Sequence, residues 1–173
     1  MIFKEYANDK VNLHQLSLAD AESFYGLYQH PELAINFDEC AFLPNETPKA
    51  FTGRIISLCE CIFTIRMVNQ SDLVIGECAL HHLNQATNEI TIGGSLYPEY
   101  WGKGLMLSAF GILANIASQE FGVKTLLAST KTKNSKAIRF AEKMGFTKYK
   151  VEGNETMMKK AIINYDQFYS NRE

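Results

Sequence analysis

No apolar run in this sequence approaches the ~18 residues that a helix needs to cross a bilayer. The opening MIFKEYANDK has neither the apolar stretch nor the small-residue cleavage site of a secretory signal. Neither a membrane nor a leader is therefore expected, and the expected location is the cytoplasm. An excess of one charge is missing too: 17 basic and 19 acidic residues are mixed along the chain, for a net charge of -2. No basic stripe is available to neutralise a phosphate backbone, so nucleic acid is not an expected partner. The four cysteines, at 40, 59, 61 and 78, form no CxxC pair, and no histidines stand at finger spacing. That argues against a zinc site and against a disulfide framework, so no metal is expected and the thiols should be reduced. Repeats, linkers and low-complexity tracts are absent. The 173 residues, 46% of them hydrophobic, suit one globular domain over 1–173.

What the sequence does contain is a series of well-marked element boundaries. A short first strand is read in 11–18. Ser17 and Asp20 then make a capping-box pattern ahead of Ala21, Phe24, Leu27 and Tyr28 at helical spacing, which predicts a helix ending near His30 and Pro31. Thr47 as N-cap and Pro48 in the first turn open a second helix with Phe51, Ile55 and Leu58 on its apolar face. The runs 61–68 and 73–82, joined by the turn NQSD, predict antiparallel neighbours. Residues 88–97, NEITIGGSLY, predict a strand whose Gly93 and Gly94 mark a bulge or a close approach to the backbone. A long helix capped by Gly122 follows, then a strand at 123–130 and a helix from Asn134 to Gly145. A hairpin of 146–152 and 156–163 turns across Gly153 and Asn154. This order describes one layered α/β or α+β architecture.

The run PEYWGKGLM at 98–106 starts the long helix on glycines, poor helix formers. A helix N-terminus leaves four N–H groups without intrahelical partners and carries about half a positive charge. Glycine lets an anion approach that backbone without a Cβ in the way, so Gly102 and Gly104 suit a pyrophosphate cradle. They suit a tight turn before a core helix equally well. Lys103 is followed by Gly104 and Leu105 rather than a hydroxyl residue, which rules out a P-loop, and Leu107 stands where a dinucleotide fingerprint needs its third glycine.

YWGKG after a glycine-broken strand, about thirty residues ahead of NSKAIRFAEKMGF at 134–146, resembles the GNAT superfamily of acyl-CoA-dependent N-acyltransferases. The branch most resembled includes the ribosomal-protein N-terminal acetyltransferases, and the likeness runs from residue 11 to about 160. It implies a mixed, mostly antiparallel central sheet of about six or seven strands, splayed at the fourth, with about four helices on its faces. In that family the pantetheine arm lies in the V-shaped gap beside the splayed strand. The strand here would be 88–97, with the bulge at Gly93 and Gly94 and the backbone of Ser95 and Leu96 pairing with the arm. The pyrophosphate loop falls on Trp101, Gly102, Lys103, Gly104, Leu105 and Met106, where Trp101 and Met106 depart from the family pattern. Asn134 matches the residue that reaches the CoA arm while capping the second motif's helix. Lys131, Lys133, Lys136 and Arg139 would lie toward the 3′-phosphoadenosine. Acetyl-CoA is the implied cosubstrate, a primary amine such as a peptide N-terminus or a small amine the acceptor, and a homodimer is compatible with the family.

For catalysis the resemblance implies direct transfer in a ternary complex, with the Leu96 N–H polarising the thioester carbonyl. Many members carry a tyrosine in the second motif's helix as acid for the departing thiolate; Ala141 stands at that position, leaving Ser95, Tyr97 or a water. Glu89 on the splayed strand is the first choice of base and Glu77 on its neighbour the second, since a buried carboxylate has a raised pKa suited to neutral pH. His81 and His82 read as structural. An acidic loop carrying Asp38, Glu39 and Glu46 among Phe37, Phe42 and Leu43 would attract a cationic amine. Because the tyrosine is missing, a CoA-binding module without turnover is the rival reading.

Overall fold

The computed structural model describes residues 4–37 and 42–162. In chain order these form β1 (Glu5–Ala7), β2 (Val11–Gln15), a 3-10 turn at Leu18–Asp20, α1 (Ala21–Gln29), α2 (Pro31–Ala34) and α3 (Pro48–Ser57). There follow β3 (Cys59–Met67), β4 (Gly76–Asn84), β5 (Glu89–Leu96), a 3-10 turn at Pro98–Tyr100, α4 (Leu105–Phe121), β6 (Thr125–Lys131), α5 (Ser135–Lys143), β7 (Thr147–Glu152) and β8 (Glu155–Ala161).

Local chemistry sets most of these boundaries. Ser17 and Asp20 close the expected capping box, although it opens a 3-10 turn that leads into α1 rather than α1 itself. Thr47 caps α3 by accepting from the Ala50 N–H at 3.2 Å, and Asn134 caps α5 by accepting from Ala137 at 3.2 Å. Each bond satisfies one otherwise orphaned donor. Gly122, at φ +65°, ends α4, its N–H bonding back to Ala117 and Ser118.

The strands form one eight-stranded sheet in the order β1-β2-β3-β4-β5-β6-β8-β7. Every neighbouring pair is antiparallel except β5 and β6, which α4 connects in parallel. The larger core lies where α4 and α5 meet one sheet face, around Ile65, Leu80, Ile92, Leu113, Leu126 and Met158. A smaller aromatic core, with Phe24, Phe51, Ile62 and Ala79, holds α1 and α3 on the opposite face.

The splay lies where the resemblance puts it, between β5 and the parallel strand that follows. β5 and β6 pair only at Glu89 with Thr125, Ile90 with Leu126 and Thr91 with Leu127. Beyond these, β5 follows β4 to Leu96 and β6 follows β8 to Lys131, so a gap opens between them.

The described residues hold eight strands and five α-helices, close to the expected six or seven and four. The added strand, β1, is three residues long, too short to show periodicity. It is tied down by tertiary contacts, Lys4 Nζ and Tyr6 Oη both donating to Glu120 on α4. No bulge interrupts Gly93 and Gly94, which pair in register with Ala79 and Cys78; the register shift lies between His81 and Asn84. The other reading of those glycines, close approach, holds at Gly94: a Cβ there would stand 2.7 Å from the Glu77 carbonyl and 3.2 Å from Cys78 Cα. Leu58, expected on the buried face of α3, is 60% exposed because the helix ends at Ser57 and the chain turns into β3.

Candidate active site

The start of α4 stands at the mouth of the gap. Gly104 is its N-cap at φ +74°, no side chain caps it, and Gly102 also lies at φ +74°. Both are left-handed positions that other residues adopt only with strain. A Cβ at Gly102 would meet nothing within 4 Å, so the glycine serves the backbone path and not a packing contact. Leu105 is buried and Met106 packs against the larger core. Their side chains point inward and leave the first-turn N–H groups of α4 without the capping bond that α3 and α5 receive.

The alternation of the ladder decides which β5 groups face the gap. Tyr97 N–H bonds the Ile75 carbonyl on the β4 side, and the Asn88 carbonyl accepts from Lys124 and Thr125 on the β6 side. Odd-numbered residues therefore turn their backbone groups to β4, and Ile92, Gly94 and Leu96 turn theirs to the gap. Ser95, paired with Glu77, does not face it. The Leu96 carbonyl accepts from Trp101 Nε1 at 2.8 Å, which ties the loop to the end of the strand. Lys136 Nζ lies 4.9 Å from the centroid of the Trp101 ring and so brings the start of α5 to the same place. Lys131 instead donates to the Ile35 and Phe37 carbonyls at 3.3 and 2.6 Å. Lys10, from the β1–β2 turn, was missed: its Nζ would stand 3.4 Å from a Cβ on Gly104. No local sequence signal marks it, because β1 itself has none.

On the α1 face of the sheet, Glu77 lies opposite Ser95. It is 4% exposed, and burial raises its carboxyl to about 8 despite the Ser95 N–H that it accepts. Burial, and after it the same carboxylate, push Tyr28 well above its usual value, which places that phenol in electrostatic reach. Tyr28 stacks on Phe37 with centroids 4.4 Å apart, and Tyr25 packs edge-on to Phe42 and Phe51. Tyr97, two residues beyond Ser95 on the same face, meets His30 edge-on at 5.7 Å, and burial raises its phenol. Glu89 starts β5 and accepts from Thr87 Oγ1 at 2.7 Å. It is seven residues from Leu96, roughly 24 Å along an extended strand. The geometry thus brings Glu77, Ser95 and Tyr97 together near the loop and leaves Glu89 at the far end.

Ala141 packs against the larger core and brings no hydroxyl. Burial raises Cys59 to about 12, Cys61 to about 11 and Cys78 well above its usual value, so these three stay thiols and are poor nucleophiles. The acidic rim needs revision. Glu46 is engaged by Arg54, whose Nε and Nη2 each donate to its carboxylate at 2.7 Å, and Asp38 and Glu39 lie outside the described residues. Among the described residues no group of three or more metal-ligating side chains gathers, and no helix is long and apolar enough to cross a membrane.

Residues 10–147 match the family described as Acetyltransferase (GNAT) domain. A search of curated proteins returns no match. Among solved structures, the fold is similar to the ribosomal L7/L12 α-N-protein acetyltransferase RimL, at TM-score 0.74 and 14% identity over 94% of this chain and 96% of that one. It is similar to the ribosomal-protein-S5-alanine acetyltransferase from Vibrio fischeri, at TM-score 0.70 and 16% identity over 91% and 96%. It is also similar to spermidine N-acetyltransferase from Vibrio cholerae, solved with CoA and spermine, at TM-score 0.71 and 16% identity over 89% and 96%.

Proposed function

Since the chain belongs to the GNAT acetyltransferase family, we propose that it moves an acetyl group from acetyl-CoA to a primary amine, by direct attack within a ternary complex. The observation that carries this reading is the uncapped start of α4, with two left-handed glycines, at the mouth of the β5–β6 gap. The chain's own groups suit the donor: open N–H groups and a helix dipole for the pyrophosphate, and gap-facing backbone at Gly94 and Leu96 for the arm's amides. Lys10 and Lys136 supply positive charge beside the loop, and Asn134 opens α5.

Acetyl-CoA, when bound, supplies a thioester already activated for attack. The protein then has to position the amine, polarise the acyl carbonyl and accept a proton. Positioning alone is worth ~7–11 kcal/mol. The Leu96 N–H, turned into the gap, is the donor for the carbonyl oxygen. Glu77 takes the amine's proton, directly or through one water. Its value of about 8 matches the usual range of an α-amino group, so acid and base exchange a proton with little driving force in either direction. The acceptor of this reading is a small amine or a peptide N-terminus entering from the α1 face, beneath Tyr25 and Tyr28.

Release of free thiol from acetyl-CoA over a panel of amines and short peptides tests the proposal. Turnover with at least one amine is expected. CoA binding with no thiol release across the panel would favour a binding module without turnover, consistent with Ala141 at the position of the family's tyrosine.

A further inference from the structure

Lys131 ends β6 at a point where that strand has already parted from β5, whose last pair with it is Thr91 and Leu127. Leu126 is buried in the larger core. By the alternation of a strand, Lys131 therefore projects from the opposite face, the one that carries α1 and Glu77. There its ammonium donates to the Ile35 and Phe37 carbonyls, at 3.3 and 2.6 Å, just after α2. These bonds take two of its three N–H donors.

The Phe37 ring stacks on Tyr28, with centroids 4.4 Å apart and planes 19° from parallel. Phe24 and Phe51 meet the same ring edge-on at 5.1 Å each, and both are fully buried in the smaller core. Of these three rings, two are fixed by the core, and the third is tied to the sheet through Lys131. Tyr28 in turn belongs to the surroundings of Glu77. Tyr28 of α1, Cys59 of β3 and Cys78 of β4 itself all feel the Glu77 charge, and the Ser95 N–H of β5 donates to it. The phenol and both thiols are pushed up chiefly by burial and stay neutral. Burial is also the largest influence on Glu77, so the packing that keeps water from it sets where it titrates.

We propose that Lys131 is a positioning residue for the acceptor side: by holding Phe37 against Tyr28 it keeps water from Glu77, and it takes no part in binding the donor's phosphates. This rests on the acetyl-transfer reading above, in which Glu77 is the base, and adds to it a residue from the strand on the other side of the gap. Charge-assisted bonds to two carbonyls suit such an anchor.

The test is a carbon-13 NMR titration of the Glu77 carboxyl, assigned by Glu77→Gln, in the wild-type protein, Lys131→Met and Lys131→Arg, each shown to be folded by circular dichroism. Methionine keeps an apolar stem and loses the donors; arginine keeps the donors. The wild-type midpoint should lie at about 8. That of Lys131→Met should fall by about one pH unit or more as water reaches the carboxylate, and that of Lys131→Arg should stay near wild type. Phe37→Leu should lower the midpoint as Lys131→Met does, and the two together no further, because the residues act along one path. Calorimetric titration should give Lys131→Met the CoA affinity of wild type. A midpoint unmoved in Lys131→Met, or lowered equally in Lys131→Arg, overturns this inference alone, as does weaker CoA binding by Lys131→Met. A wild-type midpoint in the ordinary carboxylate range removes Glu77 as base and this inference with it. Failure of the wild-type protein to bind CoA overturns the acetyl-transfer reading and this one together.

Discussion

The two sides of β5 prepare for their ligands by opposite means. On the gap side the protein offers backbone: left-handed glycines, uncapped N–H groups at the start of α4, and the gap-facing groups of Gly94 and the Leu96 N–H. On the α1 side it offers a side chain, Glu77, whose behaviour comes from the aromatic cluster that buries it. Backbone geometry tolerates solvent and needs little support from neighbours. A carboxylate raised to about 8 exists only while α1 and α3 stay packed over it. The donor side should therefore fail by loss of binding, and the acceptor side by loss of turnover or by altered pH dependence.

Glu77→Gln should separate the sides most widely. Turnover should fall ~100- to 10,000-fold, the range for removing a positioned base, while affinity for CoA stays the same. Wild-type kcat/KM should rise with pH toward a plateau above about 8, and the variant should lack that limb. A pH–rate profile checks both, and an unchanged profile would remove Glu77 from the mechanism.

The same substitution has a stability consequence of defined sign. Folding raises the Glu77 carboxyl from 4.5 to about 8, so between those values the folded chain holds a proton that the unfolded chain has released. Its contribution is fully present below about 4.5 and is lost as pH rises toward about 8. The loss is on the order of a few kcal/mol. Glu77→Gln should flatten this slope and melt higher than wild type at pH 8; a lower melting temperature there would mean that the carboxylate is better accommodated than its burial indicates.

Asn134→Ser asks whether the residue that caps α5 also serves the donor. Serine keeps the cap, so the melting temperature should hardly move, whereas loss of the amide should weaken CoA binding about tenfold, or ~1.4 kcal/mol. Unchanged affinity would leave Asn134 a cap. The smallest binding effect is expected at the other end of α4. Gly122→Ala places a Cβ at φ +65° with open space around it, which should destabilise the fold by ~1–2 kcal/mol and leave CoA affinity untouched. A thermal melt and a CoA titration of this one variant check both halves of that statement.

The same contrast explains how much could be read from the sequence. Caps at Thr47, Asn134 and Gly122 are local, each set by one residue and the turn after it, and all three stand where the sequence predicts. The left-handed glycines at 102 and 104 are local in the same way. The choice between Glu89 and Glu77 was not legible, because both sit in strands of similar composition and only the packing of α1 and α3 distinguishes a buried carboxylate from one at a strand end. Glu46 reads as an open acid until Arg54, eight residues on in the next helix, is seen to engage it. β1 and Lys10 depend wholly on contacts with α4, which no window of the sequence contains. The splay was legible only through family likeness, and its cause is the register that ends after Thr91 and Leu127, not a bulge at Gly93 and Gly94.

The most direct test is a calorimetric titration of CoA into the wild-type protein and into Gly104→Asp. The substitution sets a carboxylate at the N-terminus of α4, where an anion is expected to bind. Wild type should give a saturable heat. The variant, shown to be folded by its circular dichroism, should bind at least ~100-fold more weakly, a loss of about 2.7 kcal/mol. Equal affinity in the two proteins would contradict the account, because the open start of α4 would then not be the donor site.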